Sequence, residues 1–541
     1  MYILSLFSRY RTVLIVLLSV HLIVIPLFLN LHKKPFRQWD EAFMTFSAYE
    51  MSRNNNYLVT YFDGKPQMSS VKPPLLTWLQ VGFIKLIGFS ELAIRLPSAL
   101  AAVLTFLVII IFSIVYFRNY QIGLFAVLTL VTSDGYLLEH ASRSGEYDAL
   151  LCLFTTLFSL SLFLYIDTKK KSYLHLFFIA LSLAVLTKGV QGLIFMPAII
   201  IYIILKRQLA PLLLSKWLYI DGAFFLMITV GYYLLHEHET PGYIQAVWDN
   251  ELGGRFLKVN EGNSGSFGYY LNRMYTWTFK YWIWMVPLGI LVGWSSNKLC
   301  SHDFTIFATL FTTAYLLIIS FSQTKLYWYA IPSYPFMALL VALFVYRFYL
   351  FVDNVFNSQA LVVMGKILLL LVVFAFPYLR ILGKVYNNNE HEWDKEVYPI
   401  CYLLQRSIYD KLPNSIFYNM YTQANYTIIM YFDKINDIRL ARDSKKPLHV
   451  SRKNDPGHIF NLDSNAFIVY PNYNHHIKIY ANVLNDLGQK VTFKNPYELK
   501  QNDEVLASQS EMNKLIKQKY RYQLASLNNG VLLYRINKIL K

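Results

Sequence analysis

Cysteine is nearly absent: Cys152, Cys300 and Cys401 are the only three in 541 residues. Their separations match no zinc or redox spacing, and three thiols cannot build a disulfide framework. Acidic residues are also scarce, 33 against 50 Lys and Arg, which leaves a net charge of +17. In a soluble chain such an excess points to nucleic acid. Here 55% of residues are hydrophobic and 17% aromatic, and the apolar residues are gathered in long blocks. That composition belongs to polytopic membrane proteins, in which Lys and Arg mark the cytoplasmic ends of spans, so no nucleic-acid partner is expected. No internal repeat is visible, unlike the repeated halves of many transporters. No small-residue cleavage site follows the first apolar run, so a retained first span is expected rather than a cleaved signal.

Residues 12–29 are apolar over about the 20 residues a helix needs to cross the hydrocarbon core. Arg9 and Arg11 precede them and put the N-terminal end in the cytoplasm. The loop 31–73 then lies outside and carries Asp40, Glu41 and Lys72-Pro73-Pro74. Residues 75–89 are apolar but short, either a short span or a helix lying in the interface. Further spans are expected at 96–117, 122–138, 149–166, 174–186, 190–205, 217–235, 281–294, 304–321, 329–346 and 361–379. With 75–89 not crossing, Arg118, Lys169–Lys171, Lys206, Arg207, Lys298 and Arg347 all fall on the cytoplasmic side. Asp40, Lys72, Asp148, Lys188, the loop 240–270 and Lys325 fall on the other. The expectation is a helical membrane protein of about 11–13 spans.

Residues 1–384 then form the membrane domain, and 385–541 contain no span. Strand-like stretches at 415–418, 427–432, 466–470, 490–493 and 530–536 surround a helical run at 477–487. The expectation there is a small α/β domain outside the membrane. Asn425-Tyr426-Thr427 is a formal glycosylation sequon.

Each outer charge has a plain reading when taken alone. Asp40, Glu41 and Asp148 suit the first turn of a helix, and Lys188 and Lys325 suit snorkelling side chains. Convergence on one side suggests more. An anionic leaving group such as a lipid phosphate needs cationic clamps, here Lys72, Lys188, Lys325 and Arg143. An incoming hydroxyl or amine needs a carboxylate to take its proton, Asp40 or Asp148. A long apolar tail on the substrate explains a site at a membrane boundary. Sugar transfer from a polyprenyl phosphate meets all three demands.

The chain resembles the GT-C membrane glycosyltransferases, in the branch of the lipid A aminoarabinose transferases and the dolichyl-phosphate-mannose–protein mannosyltransferases. The matching stretches are Trp39-Asp40-Glu41-Ala42, Lys72-Pro73-Pro74 through Gln80, and Ala93 through Leu100. They continue with Tyr147-Asp148-Ala149, Leu186-Thr187-Lys188-Gly189, and Thr324-Lys325 through Tyr329 with Pro332. The resemblance implies the GT-C fold and inverting transfer from a polyprenyl-phosphate sugar donor to a lipid or protein acceptor, at the periplasmic face of a bacterial inner membrane. It implies that Asp40 is the base, that Lys72 approaches the lipid phosphate, and that Asp148, Lys188 and Lys325 line the cavity; Glu41, beside the base, reads as a supporting residue or a helix-start carboxylate. Two positions associated with a bound metal in the aminoarabinose branch differ here: Val71 stands where the branch has Glu, and Gly262 to Ser266 where it has His. Whether a divalent metal is used is left open, with Asp40, Glu41 and Asp148 as the carboxylates available to one. The alternative is a transporter or flippase for a lipid-linked glycan, which would place its charges near the bilayer midplane rather than at span ends.

Overall fold

A computed structural model describes residues 20–37, 39–138, 140–295 and 299–387, and parts of 398–539. Residues 12–19, the stretches 415–418 and 427–432, the sequon and Lys298 lie outside the described residues. The chain divides into two units: residues 1–32 with 47–388, and 33–46 with 389–541. The stretch 33–46 thus groups with the C-terminal portion, although it lies within the expected outer loop of the membrane domain.

The first unit is a polytopic α-helical bundle. Its helices are α1 (Asp40–Asn54, begun in the second unit), α2 (Leu75–Ile87), α3 (Glu91–Tyr116), α4 (Tyr120–Val131), α5 (Asp148–Thr168), α6 (Lys171–Lys188) and α7 (Met196–Leu205). They continue with α8 (Lys216–Glu239), α9 (Met285–Trp294), α10 (Leu299–Phe321), α11 (Tyr334–Val355) and α12 (Gln359–Asn387). Among the described residues seven helical stretches are long and apolar enough to cross a membrane, and four more, α2, α4, α7 and α9, are apolar but shorter. At 1.5 Å per residue α2 is only about 20 Å long, short of the hydrocarbon thickness. In its most apolar stretch α5 is 78% buried, whereas α8 and α12 are 11% buried. Of these helices α5 is therefore the most enclosed, and α8 and α12 are peripheral.

One expected span is broken. The run 122–138 ends as α4 at Val131, where Thr132 Oγ1 and Ser133 Oγ bond back to Leu128 O (2.6 Å) and Thr129 O (2.6 Å). A short turn, Asp134–Leu137, follows. Its Asp134 carboxylate is buried and is held by Arg380 (3.0 Å) and Lys384 (2.8 Å) near the end of α12. A carboxylate taken out of water needs such partners, and meeting them interrupts the apolar run.

The described part of the second unit contains a five-stranded mixed sheet. Its strands are β1 (Ala466–Ile468), β2 (Val491–Phe493), β3 (Glu504–Ser508), β4 (Tyr520–Asn528) and β5 (Val531–Ile539), in the spatial order β2-β1-β3-β5-β4. β1 runs parallel to β2 and β3, with Ala466 opposite Val491 and Glu504, and the β3–β5 and β5–β4 pairs are antiparallel. Helix α13 (His475–Asp486) connects β1 to β2 and buries Ile477, Ile479, Tyr480, Ala481, Val483 and Leu484. The Phe36 amide donates to Tyr480 Oη (3.1 Å) and the two rings stack at 5.3 Å, which ties residues 33–46 to this helix. Three of the expected strand regions and the expected helix appear, and β3 and β4 are additional.

Candidate active site

The site begins with backbone placement. The Gln80 side-chain amide on α2 donates to Ile94 O (3.2 Å) and Gly145 O (3.0 Å), and Ser98 Oγ on α3 donates to Glu146 O (2.9 Å). At Gly145 an added Cβ would lie 2.4 Å from Ile94 Cγ2, so the loop fits only without a side chain. These contacts pin the loop leading into α5 and fix Asp148 as its first residue. The motif residues Gln80 and Ser98 therefore serve as scaffold rather than chemistry.

Helices α5 and α6 are sequential antiparallel neighbours, so the start of one and the end of the other meet. Lys188 Nζ donates to Asp148 Oδ1 at 2.6 Å, and both side chains are buried. Gly189, at φ +60°, ends α6 directly after Lys188, and an added Cβ would meet Tyr233 Oη at 3.0 Å. The Lys188 ammonium also lies 5.4 Å from the centre of the Tyr329 ring. Arg255 Nη1 donates to Tyr329 Oη at 2.9 Å.

Lys72, in the loop before α2, is ion-paired with Glu251 in the π-helical segment Trp248–Phe256, and both side chains are buried. Burial pushes Lys72 down to about 8, with Lys188 and Arg255 adding to the shift and Glu251 opposing it. Burial alone would raise Glu251, but Lys72, Arg255 and Lys188 outweigh it and the carboxyl is held below its ordinary value. The group Lys72, Lys188 and Arg255 against Asp148 and Glu251 carries one net positive charge.

The segment carrying Glu251 and Arg255 is strapped in place. Ser322 Oγ and the Thr324 amide both donate to Arg255 O (3.0 and 3.1 Å), and the Gln323 amide donates to Phe256 O (3.0 Å). Asn250 Nδ2 donates to Met68 O at 3.2 Å. Glu251, Arg255 and Tyr329 line a cavity of about 260 Å³ together with Leu193, Ile194, Ile318 and Ile319. A cavity lined by both charged and aliphatic side chains suits an amphiphile.

Of the residues expected from sequence, the first unit brings Lys72, Asp148 and Lys188 into this charged group. Two expected clamps are placed otherwise. Lys325 Nζ donates to the carbonyls of Ser320 and Ser322 at the end of α10, a helix-capping position that satisfies carbonyls left without intrahelical partners. Arg143 donates to the carbonyls of Pro26, Leu27 and Leu29, so it serves the end of the helical stretch 20–28 that precedes α1. Asp40 and Glu41 belong to the second unit. Glu41 is fully buried; its carboxylate accepts from the Arg37 amide (2.8 Å) and its carbonyl from Thr45 Oγ1 (2.7 Å). It is a helix-start residue. Asp40 occupies the first turn of α1.

Glu251, Arg255 and the pair His140–Glu146 were not singled out from sequence. His140 Nδ1 lies 2.6 Å from Glu146 Oε2, and its ring stacks on Trp328 at 3.7 Å. The pair offers an imidazole and a carboxylate of the kind that hold divalent ions. The two positions used for metal in the aminoarabinose branch do not fit one here: Val71 has no donor side chain, and 262–266 contribute neither His nor acid.

The family model for dolichyl-phosphate-mannose-protein mannosyltransferase matches residues 71–234. That interval holds Lys72, the pinned loop, Asp148 and Lys188. ArnT from Cupriavidus metallidurans, solved bound to undecaprenyl phosphate, superposes with a TM-score of 0.63 at 15% identity, over 96% of this chain and 97% of that one. The chain shares the fold of that protein. An uncharacterized protein of Aquifex aeolicus (strain VF5) is 26% identical over 71% of this chain and 72% of its own length. The undecaprenyl phosphate-alpha-4-amino-4-deoxy-L-arabinose arabinosyl transferase of Aeromonas salmonicida (strain A449) is 25% identical over 58% of this chain. The match spans 57% of that transferase's own length. The chain is thus similar to aminoarabinose and mannosyl transferases, and it is a multi-pass membrane protein.

Proposed function

We propose that this protein transfers a sugar from a polyprenyl-phosphate donor to a cell-envelope acceptor, a lipid or a protein, at the periplasmic face of the inner membrane, with inversion at the sugar carbon. The observation that carries the reading is the union of a cationic group, buried Lys72 and Lys188 with half-buried Arg255, and a largely apolar cavity that Arg255 helps to line. The acceptor oxygen or nitrogen attacks the anomeric carbon and forms the new glycosidic bond. The bond from that carbon to the phosphate oxygen breaks, and the polyprenyl phosphate leaves with its electron pair. The donor diester carries one negative charge, and the departing monoester approaches two. Fixed cations facing that oxygen stabilise the charge as it grows. The acceptor's proton goes to Asp40, an assignment that rests on the motif Trp39-Asp40-Glu41-Ala42.

The test is transfer from a radiolabelled polyprenyl-phosphate sugar by the purified protein in nanodiscs, followed by mass spectrometry of envelope lipids and glycoproteins from cells with and without the gene. Wild-type protein that binds no polyprenyl phosphate and yields no glycosylated product under these conditions defeats the reading.

A further inference from the structure

We propose that Glu251 is a placeholder for the donor phosphate: its carboxylate neutralises Lys72 while the site is empty, yields to the incoming phosphodiester, and returns to help expel the lipid phosphate product. This rests on the donor reading above and adds a residue that governs occupancy of the same site.

The buried ammonium of Lys72 needs a counter-charge at all times, because an unpaired ion out of water is strongly disfavoured. The two lysines of the group obtain theirs differently. Lys188 is held by Asp148, the two standing at the ends of a packed pair of long apolar helices. Lys72 is held by Glu251, from a π-helical turn outside the long apolar helices. Such turns mark local irregularity and are enriched at functional sites. The backbone on both sides of Glu251 is fastened, at Asn250 to Met68 O and at Arg255 to Ser322 and Thr324. The side chain can therefore rotate away from Lys72 without the segment moving.

Charge matching gives the exchange a direction. With Glu251 engaged, the group has one net positive charge. With Glu251 turned away it has two, which matches the leaving phosphate as its charge approaches two. Glu251 also lines the cavity beside Arg255, so it lies next to the volume the phosphate would enter. Phosphate and carboxylate are both oxyanions that an ammonium binds as a point charge, so one can replace the other on Lys72.

The experiment measures undecaprenyl phosphate binding to the full-length protein in nanodiscs, for wild type, Glu251→Gln, Lys72→Ala and the double variant. Removing the competing carboxylate is expected to tighten binding by about tenfold, slow turnover at saturating donor and strengthen product inhibition. Lys72→Ala is expected to weaken binding, and Glu251→Gln is expected to have no effect on binding in that background. Thermal unfolding provides a second readout: empty Glu251→Gln melts below wild type, and undecaprenyl phosphate closes the gap. Binding of Glu251→Gln that is unchanged or weaker, or a melting deficit that the lipid phosphate does not repair, overturns the proposal and leaves the donor reading standing. Undecaprenyl phosphate that binds wild type and Lys72→Ala equally overturns the phosphate position and the proposal with it.

Discussion

Lys188 donates to Asp148 at 2.6 Å, joining the last residue of α6 to the first residue of α5. Each charge also sits at the helix end that favours it, the carboxylate at an N-terminus and the ammonium at a C-terminus. The pair is thus stabilised twice, and removing one member strands the other in a buried place.

Asp148→Asn is expected to destabilise the empty protein by about 3–5 kcal/mol. Undecaprenyl phosphate should restore part of the loss, since it brings a negative charge to Lys188. Chemical denaturation with and without the lipid phosphate measures both quantities. A loss that the lipid leaves untouched would separate Lys188 from the phosphate site.

Lys72 titrates at about 8, so donor engagement should fall as pH rises through that value. The stability term has the opposite sign. Between about 8 and the ordinary lysine value of 10.5 the unfolded chain holds a proton that the folded chain has lost, so this group's contribution to stability rises with pH across that window. Glu251→Gln removes a partner that keeps the proton on Lys72, so the alkaline limb of kcat/KM for the donor should move to lower pH. A pH profile of wild type and variant checks the direction.

Asp40→Asn is expected to abolish transfer while leaving undecaprenyl phosphate binding within about twofold of wild type. Single-turnover transfer and equilibrium binding on the same preparation test the two halves. Retained transfer would remove Asp40 as the proton acceptor.

Gly145→Ala drives a methyl group to within 2.4 Å of Ile94 Cγ2. The expected cost is about 1–3 kcal/mol, and activity should fall further than stability does, because the loop sets the start of α5. Ile94→Ala in the same chain should recover part of both. A double-mutant cycle on melting temperature and on transfer rate measures the coupling.

The bundle and the meeting of Lys72, Asp148 and Lys188 were legible in the sequence. Long apolar runs announce spans, and counting crossings assigns each polar connection to a side. The partners of those residues were not legible. Glu251 and Arg255 lie in the polar stretch 240–270, where a π-helical turn obeys neither the 3.6 nor the 2-residue period. Lys325 and Arg143 show the reverse difficulty. A basic residue beside a span has the same local sequence whether it caps carbonyls or faces a phosphate, and only the coordinates of the neighbouring carbonyls separate the two. The break after α4 was hidden for a similar reason: Asp134 finds its partners about 250 residues later, on α12. Glu41 was readable as a helix-start acid, and its bond to the Arg37 amide is of that kind.

The cavity beside Arg255 has a volume of about 260 Å³, far below that of a complete polyprenyl chain. On the donor reading proposed above, it takes the isoprene units nearest the phosphate, and the remainder of the carrier lies elsewhere. If the donor enters as proposed, selectivity should depend on the head of the carrier and be nearly blind to its tail. Carriers differing by many isoprene units should then compete on equal terms, whereas a change in saturation or geometry of the unit next to the phosphate should be felt at once.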